Sequence, residues 1–221
     1  MKSFKIISQI ELKKGQLVCS LKDGKGKQNV HQRQGSLDGA CSAYSLSMAL
    51  IILGVVNAED IINNSLRKNT REGKFIRNLV ENNGLYSEGK TFTQIKDLID
   101  QTLNKIVDTR LLKKSKKTDI IKFVIQNVEN EVPVLLHIRS KGENGHAILV
   151  VGLSYHNNEK LDSFLCLDPG FESPSISCWN CMIKINSTIN EFPHNWYTID
   201  GIPQSNIYIQ EALAIYKRQL L

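Results

Sequence analysis

The chain contains no run of 18 apolar residues, and Lys2 and Lys5 precede no apolar stretch of signal-peptide length. Neither a membrane span nor a cleaved leader is expected. The expected setting is a soluble protein in a reducing cytoplasm, although export by a leaderless route would leave no mark. Cysteine is sparse. The five are Cys19, Cys41, Cys166, Cys178 and Cys181, an odd number without the spacing of a disulfide framework. Cys178-Trp-Asn-Cys181 lacks the second ligand pair that zinc needs. It also lacks the strand–helix setting of a thioredoxin motif. It reads as incidental, and no metal or other cofactor is expected. Aromatic residues are only 7% of the chain, and none interleave with the lysine runs at 22–27 and 113–117. Stacking on nucleic-acid bases is therefore not indicated. There is no internal repeat and no low-complexity linker.

What is present is a moderately basic chain of 221 residues with a net charge of +6. That length suits one domain over residues 1–221, with 1–30 as a possible N-terminal β-hairpin extension. The lysine runs read first as solvated loops or helix entries. The lesser reading is attraction to an acidic partner, a membrane surface or nucleic acid; an acidic partner or an inhibitor protein is the partner expected beyond the substrate.

The apolar pattern predicts strands at Phe4–Leu12 and Gln16–Leu21, then a polar loop to Gly39. Cys41–Leu53 is apolar on nearly every side and predicts a central buried helix stopped by Gly54. Helices are expected at Ala58–Arg67 (capped by Asn57), Arg71–Asn82, Phe92–Lys105 and Thr118–Glu129. Strands are expected at Val132–Arg139, His146–His156 and Lys160–Asp168. Shorter ones follow around Cys181–Ile185, Trp196–Ile199 and Ile207–Tyr216, the last partly helical. Helices first and an antiparallel sheet later is an α+β pattern, and its cleft would lie between the two halves.

Two segments carry chemistry. Gln34-Gly-Ser-Leu-Asp-Gly-Ala-Cys41 leads into the buried helix. With Asp38 as N-cap, Cys41 would be the N3 residue, where N–H groups and the helix dipole favour thiolate. The second is the predicted hairpin from Gly145-His146 to Asp168-Pro-Gly170. A turn near Asn157-Asn158 leaves His146 and Asp168 equally far from it. They would then lie opposite each other, on one face, about 5 Å apart at Cβ. A one-residue slip would separate the faces. Each residue alone has an ordinary explanation: a small buried thiol, a strand-start histidine, a turn aspartate, a loop glutamine. Their order and pairing favour a nucleophile, a base and an orienting carboxylate.

Gln34, Cys41, His146 and Asp168 in that order resemble the papain-like cysteine hydrolases. The nearest look is to the bacterial branch that includes bacteriocin-processing, double-glycine peptidases. The resemblance covers roughly residues 30–55 and 130–172. It implies a papain-like fold with a helical half carrying the nucleophile, packed on an antiparallel sheet carrying His and Asp. It also implies that Cys41 attacks, His146 is the base, Asp168 orients it, and Gln34 helps form the oxyanion hole. Gln34 lies one residue further from the cysteine than in papain, and Gln32 competes for its role. Ser42 stands where many relatives have Gly. The implied activity is cleavage of an amide bond in a protein or peptide substrate. Glutamine deamidation or acyl transfer by a toxin or effector with the same triad is the nearest alternative. From another class, the chain could be an inactive papain-like binding module that uses its basic loops. A basic nucleic-acid-binding domain is the weakest reading.

Overall fold

The computed structural model describes residues 2–35, 40–62, 69–81, 90–113, 116–142, 145–157, 160–186 and 190–218. Two long strands organise it, β7 (His146–His156) and β11 (Pro203–Lys217). Both are too long for one neighbour to cover. One edge of β7 is shared. Its first half pairs with β6 (Val134–Ser140) and its second half with β1 (Lys2–Ile6), while β8 (Lys160–Leu167) takes the other edge. β11 is divided in the same way. One edge pairs with β10 (His194–Thr198) and then β5 (Val107–Lys113), and the other pairs with β6. β9 (Cys181–Lys184) links β10 to β8. Since β8 also pairs with β7, the strands β7-β6-β11-β10-β9-β8 close into a ring. All of these pairings are antiparallel. A separate three-stranded sheet holds β2 (Ile10–Lys13), β3 (Gln16–Ser20) and β4 (Lys27–Asn29).

The helices are α1 (Cys41–Ile52), α2 (Ala58–Ile62), α3 (Arg71–Glu81), α4 (Phe92–Thr102) and α5 (Lys117–Glu129). α1 is buried almost all round, from Ser42 to Ile52, because sheet lies on one side and helices and the small sheet surround the rest. One of its buried serines is satisfied by the sheet: Ser45 Oγ donates to Ala147 O of β7 at 3.1 Å, so that hydroxyl can sit in the core. Gly54 has φ +61° and ends α1 as expected, its N–H donating to Ile51 O. Truncating a wholly buried side chain such as Leu50 would cost about 2–5 kcal/mol. α4 opens on a reciprocal cap between Thr91 and Gln94.

Several expectations are corrected. Phe4–Leu12 is two strands in different sheets. Ile7–Gln9 turn away between them, where Ser8 N–H and the Lys5 ammonium both bond to Glu131. Phe92–Lys105 stops at Thr102, and β5 follows unanticipated. β11 is strand throughout, since β5 and β6 flank the stretch expected to be partly helical. Asn57 stands directly before α2 as expected; its N–H donates to Asp60 Oδ2 at 3.2 Å, and its side-chain oxygen accepts from Lys22 N–H. The predicted N-cap Asp38 lies outside the described residues. Ala40 holds the N-cap position of α1 without a side-chain bond, so Cys41 is N1 rather than N3.

Candidate active site

α1 and β7 bring the first two site residues together. Cys41 stands at the first helical position, half-buried, with no acidic residue in the first turn to compete for the positive helix end. The Ala147 N–H of β7 donates to Cys41 Sγ at 3.3 Å. One residue earlier, the His146 ring lies near enough to Cys41 for the cysteine to help raise its pKa. His146 Nε2 faces Asp168 Oδ1 at 2.8 Å. The Asp168 side chain is 1% exposed and that of His146 is 23% exposed. The imidazole thus borders solvent while the carboxylate behind it does not.

The hairpin register differs from the one expected. The pairs Leu149–Leu167 and Val150–Cys166 put Asp168, one step beyond β8, level with Ile148 rather than His146. The same offset is already present beside the turn, in the pairs Tyr155–Leu161 and His156–Lys160, so the turn sets it, and the two bulges between there and Leu149 cancel. Two steps restore the same face, so the His146–Asp168 contact survives as a diagonal one.

Burial by itself would depress the His146 pKa. The hydrogen bonds and negative charge offered by Asp168 and Cys41 outweigh it and raise the pKa to about 10. The site is therefore built to hold an imidazolium beside sulfur. Asp168 Oδ1 takes a second bond from Gly170 N–H at 2.7 Å, while Oδ2 is buried without a partner among the described residues. The Trp196 ring lies 5.6 Å from that of His146, and Phe171 lies 5.6 Å from Trp196, forming an apolar wall on one side of the imidazole.

Gln34 is held by its main chain, its N–H donating to Pro169 O at 2.9 Å. That bond ties it to the Asp-Pro-Gly turn, and its Oε1 is buried without a partner among the described residues. Residues 36–39, which connect it to α1, lie outside the described set. Ser42 Oγ accepts from Lys90 N–H.

Of the other histidines, only His31 touches the site. His31 Nε2 is 3.0 Å from Asp168 O. His137 packs against Gly145 and Phe92. His156 closes the far end of β7 opposite Lys160. His194 accepts from Asn186 N–H, and burial, aided by Lys117, lowers its pKa to about 4. A cavity of about 1660 Å³ is lined by residues such as Arg139, Lys160, Lys184, Glu191 and Tyr208, and not by Cys41, His146 or Asp168. Among the described residues no cluster of His, Cys, Asp and Glu is arranged to hold a metal ion. No helix among them is long and apolar enough to cross a membrane. Sequence reading missed Asn180, buried within the motif it took as incidental.

Residues 26–201 match the Peptidase_C39-like family, and the chain belongs to it. Among solved structures, the crystal structure of UfSP from C. elegans is similar with a TM-score of 0.45 and 11% identity. That similarity covers 99% of this chain and 34% of the other, so the chain spans about a third of that protein's length. No curated protein matches the sequence.

Proposed function

We propose that the chain hydrolyses an amide bond of a protein or peptide substrate, with Cys41 as nucleophile, His146 as proton carrier and Asp168 as its orienting carboxylate. The observation that carries this reading is the placement of one residue pair: His146 Nε2 is 2.8 Å from Asp168 Oδ1, while the N–H of the next residue, Ala147, lies 3.3 Å from Cys41 Sγ. The Cys41 thiolate attacks the carbonyl carbon. The imidazolium gives its proton to the leaving amine, and the acyl group stays on sulfur. The neutral imidazole then takes a proton from water, whose oxygen attacks the thioester and releases the acid. Asp168 holds the tautomer and stabilises the imidazolium. The N–H of Cys41, facing out of the helix start, and the amide of Gln34 would hold the developing oxyanion. Such a donor is worth about 3–4 kcal/mol in other hydrolases.

Incubation of the purified protein with a mixed peptide library, followed by mass spectrometry, tests the reading. New termini that disappear with Cys41→Ala support it. Substrates that keep their chain intact but lose a side-chain amide, or gain an acyl group, would move the assignment to deamidation or acyl transfer. Products that persist in Cys41→Ala would overturn it.

A further inference from the structure

Asp168 has an unusual support. β8 ends at Leu167, and the last paired residues of β8 and β9 are Cys166 and Cys181. One step later there is no strand to hold the main chain, yet this is where Asp168 must be aimed. The Asn180 side chain fills that place. Its Oδ1 accepts from Asp168 N–H at 2.7 Å, and its Nδ2 donates to Asp168 O at 2.9 Å. A carboxamide that binds both the N–H and the C=O of one residue imitates a neighbouring strand. Nδ2 also donates to Glu172 O at 3.0 Å, so both amide protons are used. Asn180 is itself fixed through its main chain, N–H to Cys166 O and C=O from Ile199 N–H, both at 3.0 Å. It is 3% exposed.

His31 closes the arrangement from the other side. Its Nε2 lies 3.0 Å from Asp168 O and 3.1 Å from Asn180 Nδ2. Because Nδ2 already serves two carbonyls, Nε2 carries the proton and donates to Asp168 O, which the lone pairs of a carbonyl allow. Burial lowers the His31 pKa, which suits a neutral ring. The segment bearing His31 leads toward Cys41, and Gln34 N–H on it bonds to Pro169 O. The approach to the nucleophile and the mount of the carboxylate are therefore joined at Asp168-Pro169.

We propose that Asn180 is a positioning residue of this site: its carboxamide, backed by His31, replaces the missing strand, fixes the Asp168 main chain, and thereby aims the carboxylate at His146. The proposal rests on the peptidase reading above. Asn180 touches neither Cys41 nor substrate in this role and acts through Asp168. A misplacement of about 1 Å in such a group can cost about a hundredfold in rate, and the clamp guards against displacements of that kind. The orientation matters chemically, because a carboxylate at position 180 would set oxygen against the carbonyls of Asp168 and Glu172. Asn180→Asp, though nearly isosteric, should be at least as damaging as Asn180→Ala. A residue needed only for volume would show the reverse order.

The test reads the ring by NMR titration of His146 and the sulfur by the rate of Cys41 alkylation with iodoacetamide across pH. The variants are Asn180→Ala, Asn180→Asp, Asp168→Asn and the Asn180→Ala/Asp168→Asn pair. Asn180→Ala should lower the His146 midpoint by about one unit, a tenfold change in proton affinity. It should slow alkylation near pH 6 by about tenfold and cut kcat with KM within about twofold. In the Asp168→Asn background it should add little, because residues acting through one group are not additive. An unmoved midpoint in folded Asn180→Ala, or an equal effect with Asp168 already replaced, would overturn the proposal. Should Asn180→Ala fail to fold, His31→Ala takes its place, with a drop of the same sign about threefold in size expected and no drop refuting it. His146→Gln separates the two readings. If it leaves Cys41 alkylation unchanged, the peptidase reading has failed; if it alters alkylation while Asn180 variants do not, only the positioning role has failed.

Discussion

Replacing Asp168 by Asn removes a charge while leaving the shape. Gly170 N–H donates to Oδ1, so the amide of the variant keeps its oxygen on that side, still within reach of His146 Nε2. The NH₂ group falls where Oδ2 has no partner. What is lost is the charge on the acceptor. A hydrogen bond to a charged group contributes about 1.5–3 kcal/mol, and one pKa unit is about 1.4 kcal/mol. The His146 pKa should therefore fall from about 10 by roughly 1–2 units. NMR titration of the histidine rings measures this, with His146 assigned from the resonance missing in His146→Gln. The imidazolium would then be lost earlier as pH rises, and the alkaline limb of turnover should move down with it. A native His146 that titrates near its ordinary value, or a variant that titrates where the native protein does, would refute the electrostatic account.

Other consequences follow from the same contacts. Cys41→Ala and His146→Ala should each reduce turnover by at least about 10⁴-fold, and the double variant should lose almost nothing more, since residues acting as one unit are not additive. A Cβ at Gly145 would collide with His137 Nε2; Gly145→Ala should cost about 1–3 kcal/mol in urea unfolding, and His137→Ala should restore most of it. His194 is buried with its pKa lowered to about 4, so it contributes stability above its unfolded value near 6.5 that is lost as pH falls toward 4. That loss amounts to at most about 3 kcal/mol, and His194→Phe should flatten the acid limb of stability measured by denaturant midpoints.

The β7–β8 hairpin was legible because both of its strands are long and apolar and its turn has an asparagine, with Asn157 at φ +52°. α1 was legible because its apolar run ends at a glycine in the left-handed region. The site could be read from residue types in order, and the two-residue register error spared it because faces repeat every second residue. β5 was not legible. Val107–Lys113 carries alternating charges, and it becomes a strand only because the last half of β11 has a free edge to offer. The break between β1 and β2 depends on Glu131, more than a hundred residues away. Asn180 was hidden for a related reason. Its role consists entirely of contacts with residues 31, 168 and 172, and no spacing within the chain announces a side chain that stands in for a strand.

The central claim is that Cys41 is a nucleophile activated by His146 and a helix start. Brief iodoacetamide treatment near neutral pH, followed by peptide mapping of all five cysteines, tests it most directly. Cys41 is half-buried at a helix start, with the Ala147 N–H donating to its sulfur. Burial raises the Cys19 pKa to about 11 and pushes the Cys178 and Cys181 thiols upward as well. Cys41 should be modified first, and His146→Ala should slow it toward the rate of the others. Labelling of Cys178 or Cys181 while Cys41 stays untouched would contradict the account.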